Sequence, residues 1–119
     1  KRWAHAASIA VILLVGWAYA LSLPHASRSE PGMVSQALGY EAAVRHDYPR
    51  AAHDFEQALL ARPEDPHLHY YLGDAYLKMN RPVDALVHLR RVLDLAPDYP
   101  QAESIRHAVE VLEKIAPQE

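Results

Sequence analysis

The hydrophobic pattern changes character once along the chain. From Trp3 to Ser27 no Asp, Glu, Lys or Arg interrupts it, and the apolar centre, Ala6 to Leu23, reads AASIAVILLVGWAYALSL. These 18 residues span about 27 Å as a helix, and counting from Trp3 gives about 31 Å. That matches the ~30 Å hydrocarbon core of a bilayer. Trp3 at one end, and Trp17 and Tyr19 towards the other, suit the two membrane interfaces. Pro24 ends the run, since it lacks an N–H and disfavours helix at the residue before it. The pattern predicts a transmembrane anchor over 1–24 and a linker over 25–31. A cleavable signal peptide is the rival, with Lys1-Arg2 leading and Ala18-Tyr19-Ala20 as the small-x-small site. The apolar run is longer than such a segment needs.

Beyond the linker the apolar positions fall into short helical stretches punctuated by Pro, Asp and Asn. Asp65-Pro66 reads as an N-cap followed by Pro in the first turn. Asp47 before Tyr48-Pro49, and Arg81-Pro82, mark two more helix starts, while Pro63 and Pro97 close helices. The spacing predicts helices near 32–46, 49–62, 66–80, 82–96 and 100–116. His46 and Asn80 fall where helix pairs must turn. Asn adopts the left-handed conformation readily and His moderately.

The stretches repeat. A shift of 34 residues aligns Leu38-Gly39 with Leu72-Gly73, Ala51 with Ala85, Leu59 with Leu93, Pro63 with Pro97 and Pro66 with Pro100. Phe55 then meets Leu89, and Ala58 meets Val92. Gly39 and Gly73 sit mid-helix, where glycine costs about 1 kcal/mol against alanine. That cost is tolerable where a neighbouring helix packs on the bare backbone. Ala51 and Ala85 are small for the same reason, and Phe55 and Leu89 are expected as large knobs filling the space between neighbouring pairs.

These residues carry a resemblance. The chain resembles the tetratricopeptide repeat family through Leu38-Gly39, Tyr48, Ala51, Phe55, Ala58 and Pro63 in one unit. Leu72-Gly73, Tyr76, Ala85, Leu89 and Pro97 carry it in the next. The stretch HDYPRAAHDFEQALLARP is similar to the family's second-helix pattern. The resemblance implies an all-α array over 32–119, with repeats at 32–65 and 66–99 and a capping helix at 100–116. Ser35 and His69 stand where the family usually has a large aromatic. Ala42 replaces a Tyr, and His46 and Asn80 replace the turn glycine. Two repeats and a cap are few for an array that buries its core between neighbours, so the domain is expected to be either marginal alone or supported by the anchor and a partner.

The family binds partners mostly through the concave surface lined by the first helix of each pair. Carried over by position, that surface comprises Met33, Gln36, Tyr40 and Ala43, then His67, Tyr70, Asp74, Leu77 and Lys78. The family's Lys/Asn clamp for a terminal carboxylate is absent, because Gln36 and Tyr40 occupy the corresponding places. Tyr71 is the aromatic most expected in the core instead. In the anchor, Gly16 and Ala20 are four apart, a spacing that lets another helix approach closely.

Charge and composition narrow the chemistry. The chain has 12 Lys and Arg against 15 Asp and Glu, a net charge of -3, which disfavours a nucleic-acid-binding module. With no cysteine there is no disulfide, thiolate metal site or thiol nucleophile. Eight histidines invite a metal. His67 and His69, however, lie about 200° apart on a helix, His46 and His53 are separated by a helix break, and no H-E-x-x-H occurs. No nucleophile elbow or phosphate-binding glycine loop is present. No catalytic residue, cofactor or metal site is expected, and the chain reads as a non-enzyme.

The expectation is therefore a membrane-anchored protein–protein interaction scaffold. Lys1 and Arg2 before the anchor, against Arg28 alone among bases just after it, put the N-terminus in the cytoplasm and the domain in the periplasm. The expected role is an accessory or assembly subunit of a bacterial inner-membrane complex, energy-transducing ones included. Its partners would be other membrane-protein subunits, held by the transmembrane helix and the groove. A chaperone-like binder of exported clients, as in cytochrome c maturation or secretion, is the first alternative. A His-ligated metal or pigment protein, through His5, is the second.

Overall fold

The computed structural model describes residues 30–116. They form five helices: α1 (Met33–Val44), α2 (Tyr48–Ala61), α3 (Pro66–Lys78), α4 (Pro82–Leu95) and α5 (Ala102–Ile115). No strand occurs among the described residues. The anchor expected over 1–24, with Gly16 and Ala20, and most of the 25–31 linker lie outside them. Among the described residues no helix is long and apolar enough to cross a membrane.

Each boundary has a local cause. The Asp47 carboxylate accepts the Arg50 N–H at the start of α2, and Asp65 accepts those of His67 and Leu68 at the start of α3. Arg81 precedes α4 without a side-chain cap, its guanidinium turning instead to Asp84 at 2.8 Å. Pro63 and Pro97 drive the residues before them out of helix, Arg62 to φ −135° and Ala96 to φ −142°. α5 starts two residues later than the expected position 100. Tight turns from Tyr99 N–H to Ala96 C=O and from Ala102 N–H to Tyr99 C=O consume the segment around Pro100.

His46 and Asn80 are left-handed, at φ 61° and 56°. Around each, two bonds close the preceding helix. His46 N–H reaches Ala43 C=O and Asp47 N–H reaches Ala42 C=O; Asn80 N–H reaches Leu77 C=O and Arg81 N–H reaches Tyr76 C=O. This is the double-bonded C-terminal cap that normally employs glycine. The short turns make α1/α2 and α3/α4 antiparallel pairs.

Packing is closest inside each pair. A Cβ on Gly39 would lie 2.7 Å from Phe55 Cε1, and one on Gly73 would lie 2.9 Å from Leu89 Cδ2. Phe55 and Leu89 therefore seat first on their own pair's glycine, which corrects their expected role as knobs between pairs. Phe55 does reach the next pair as well, stacking on Tyr71 at 5.8 Å. Ala51, Ala58, Leu68, Leu72, Ala85 and Val92 are fully buried between the layers. Leu38, the repeat partner of Leu72, is 40% exposed because no earlier pair among the described residues covers α1.

Two predictions follow from this geometry. Gly39→Ala forces a buried aromatic ring to move and is expected to cost about 1–3 kcal/mol despite the gain in helix propensity. Gly73→Ala presses on a flexible leucine and should cost clearly less; paired thermal melts rank the two. His46→Gly relieves a left-handed L-residue and should stabilise by about 0.5–1 kcal/mol, more than Asn80→Gly, in denaturant unfolding.

Candidate functional site

α1 and α3 present one continuous aromatic face. Tyr40 of α1 meets Phe55 edge-on at 5.4 Å and Tyr71 of α3 at 4.8 Å. Tyr71 contacts Tyr70 at 5.4 Å, Tyr70 contacts Tyr99 at 5.5 Å, and Tyr99 contacts His67 at 5.1 Å. The row thus runs from the base of α1, along α3, to the turn before α5. Tyr99 is buried at 7% exposure, while Tyr71 is 36% exposed. Tyr40 on Phe55, Tyr40 on Tyr71 and Tyr70 on Tyr71 meet edge to face, a favourable arrangement of aromatic quadrupoles.

Polar contacts hold the row in place. Gln36 Nε2 donates to Tyr40 Oη at 2.8 Å, and the Arg62 guanidinium donates to both Gln36 Oε1 and Asp65 Oδ2. One arginine at the end of α2 therefore ties α1 to the cap of α3. His67 Nδ1 hydrogen-bonds Tyr99 Oη at 2.8 Å. Burial, with neighbouring tyrosines, pushes the Tyr99 hydroxyl up to about 12. Burial also raises Tyr71, with Tyr40, Tyr70 and Asp74 adding to the effect. Both hydroxyls stay neutral at physiological pH.

The residues assigned by sequence distribute unevenly over this face. Tyr40 and Tyr70 are in the aromatic row, with Gln36 and His67 bonded to it. Tyr70, Asp74 and Leu77 border a cavity between α3 and α5. Met33 is half exposed at the start of α1 and Lys78 is exposed at the end of α3. Ala43 packs against the core. Tyr71, expected as core, is instead on the surface at the centre of the row. Sequence reasoning also missed Tyr99 as a member of the row and Phe55 as the buried ring beneath it. Tyr71 had a signal, since His67, Tyr71 and Asp74 lie three or four apart on one helical face. Tyr99 had none, because its repeat partner is Asp65.

A second cluster lies inside the α3/α4 pair. His69, only 8% exposed, hydrogen-bonds Pro63 C=O through Nε2 at 2.8 Å and His88 Nδ1 through Nδ1 at 3.0 Å. With Nε2–H donating to the carbonyl, His69 Nδ1 is left to accept from His88. His88 stacks on Tyr76 at 5.6 Å, and the Tyr76 hydroxyl donates to Glu56 of α2. Burial and Glu56 push that hydroxyl up to about 12. These contacts satisfy the His69 that stands where an aromatic was expected. Among the described residues no three His, Asp or Glu side chains converge as metal ligands.

The paired helices, the recurring glycine contacts and the aromatic face together define a helical-repeat protein of the kind that binds other proteins. The match to known families is specific. A family model described as tetratricopeptide repeat matches residues 37–100. The chain belongs to the tetratricopeptide repeat family, which is typically a non-enzymatic interaction module. No curated protein and no solved structure matches it.

Burial of His88 makes stability pH-dependent. Burial first, then the neighbouring His69, lowers the basicity of His88 below the ordinary 6.5, although Glu56 and Asp84 oppose this. A base weakened by folding favours the folded state fully above its unfolded pKa and loses that contribution as pH falls below it. Melting temperature should therefore hold above about pH 6.5 and fall towards pH 5. His88→Gln should flatten the slope, as measured by thermal melts across that range.

Proposed function

We propose that the chain is a membrane-anchored scaffold whose aromatic face grips the extramembrane part of a partner protein. Tetratricopeptide repeat domains bind protein partners. The observation that carries the assignment to this face is the half-open tyrosine row through Tyr40, Tyr71 and Tyr70. Tyrosines give broad, rigid contact area with a polar end, and interfaces are enriched in them. Their burial in the free protein is incomplete, as Tyr71 shows at 36% exposure, so a partner gains apolar contact by covering them.

The apolar run over 1–24 supplies the anchor in this proposal, and its flanking charges orient the domain towards the periplasm. The role is an accessory or assembly subunit of a bacterial inner-membrane complex. Two membrane-tethered proteins meet at high effective concentration, so a short array need not bind tightly by itself.

The test is site-specific photo-cross-linking of the full chain in its native membrane. A photoreactive residue at position 71 should give a discrete adduct, and one at Val87 on α4 should not. Adducts at both positions, or at neither, would reject the tyrosine face. Stoichiometry in mild detergent separates the roles: integral ratios with fixed membrane proteins mark a subunit, and broad substoichiometric capture of exported proteins marks a transient binder.

A further inference from the structure

At Tyr70 the aromatic row borders a cavity that it does not fill. This cavity, of ≈ 160 Å³, lies between α3 and α5. Leu89 and Ile105, each 3% exposed, form its floor. Tyr70 and Ala108 form walls, and Leu77 and Asp74 stand at the exposed rim. It falls well short of the ~300–1,000 Å³ typical of small-molecule sites. It is the right scale for a single side chain, and its lining selects an apolar one.

The charge at its rim is unpaired. Eight basic residues, Arg45, Arg50, Arg62, Arg81, Arg90, Arg91, Arg106 and Lys114, stand in ion pairs. Asp74 has no basic partner within ion-pair distance among the described residues, and Lys78 one turn later stays beyond it. Asp74 is the one charged side chain lining the cavity. Its field already reaches the Tyr71 hydroxyl, one turn back on α3. An exposed tyrosine ring and a carboxylate on the same helical face both attract a cation.

We infer that this cavity takes one apolar side chain of a partner segment whose adjacent Lys or Arg pairs with Asp74 and lies against Tyr71. The partner is thus a protein segment with a basic–apolar motif. This rests on the reading of the tyrosine face as the binding surface and adds the partner's chemistry to it. The apolar side chain displaces water from a largely apolar lining, which supplies affinity. The rim carboxylate adds little energy alone but discriminates strongly between signs of charge. An acidic segment would place like charges together at Asp74.

The test uses the full chain and four end-blocked, fluorescein-labelled peptides on one Gly–Ser frame. Their central pairs are Lys-Leu, Glu-Leu, Lys-Ser and Glu-Ser, and binding is read by fluorescence anisotropy. Lys-Leu should bind best, by about tenfold over Glu-Leu. Asp74→Lys, at an exposed position, should reverse that order. Ala108→Leu, which fills the cavity, should erase the advantage of Leu over Ser, with circular dichroism confirming the fold. Equal binding of Lys-Leu and Glu-Leu, indifference to Asp74→Lys, or binding of no peptide would overturn the inference. The cross-link from position 71 is independent of all three results, so a discrete adduct there with no charge preference sinks this inference and leaves the binding face standing.

Discussion

Gly39 and Phe55 share a space that has no room for one more methyl group. The ring lies 2.7 Å from where a Cβ would be, and the equivalent Gly73–Leu89 approach is nearly as close. This contact draws the two helices of each pair together until backbone meets side chain. It sets how far α1 stands from α2 and α3 from α4, and so where α1 and α3 present their other faces. Phe55 is held on one side by Gly39. On the other it is free to stack on Tyr71 and to support Tyr40. The packing rule of the repeat thereby positions the first rings of the aromatic face.

That surface inherits its form from the layers beneath it. A large ring at position 55 and a smaller leucine at position 89 make the two pairs unequal. Where Phe55 stands, the groove floor is filled and tyrosines spread over it. Where Leu89 stands, a cavity opens towards α5. One array therefore offers two textures, an aromatic area and a socket. The interior makes a parallel adjustment. His69 stands where the family usually places a large aromatic, and its polar ring stays buried only because Pro63 C=O and His88 satisfy both nitrogens.

Much of this was legible in residue spacing. The 34-residue register, the Asp-Pro helix starts and the Pro63 and Pro97 stops are local signals, and local backbone chemistry decides helix ends. The left-handed turns at His46 and Asn80 were legible for the same reason: a turn of fixed length must have a residue there with positive φ. The start of α5 was misplaced because Pro100 suits a turn as well as a first helical turn. The aromatic face was half legible. Tyr40, Tyr70 and Asp74 follow from position in the repeat, but Tyr71 was expected inside.

By itself the sequence determined that the chain after residue 31 is an α-helical repeat, where its helices begin and end to within two residues, and the family to which it belongs. These depend on interactions spanning a few residues or one repeat, which periodicity records directly. Only the tertiary structure decided that Tyr99 joins the row, that His69 meets His88, and that Asp74 overlooks a socket floored by Leu89 and Ile105. Each of these brings together residues from different elements, 15 to 32 positions apart. The distance between such residues depends on side-chain sizes in the intervening layers, and no spacing along the chain encodes it.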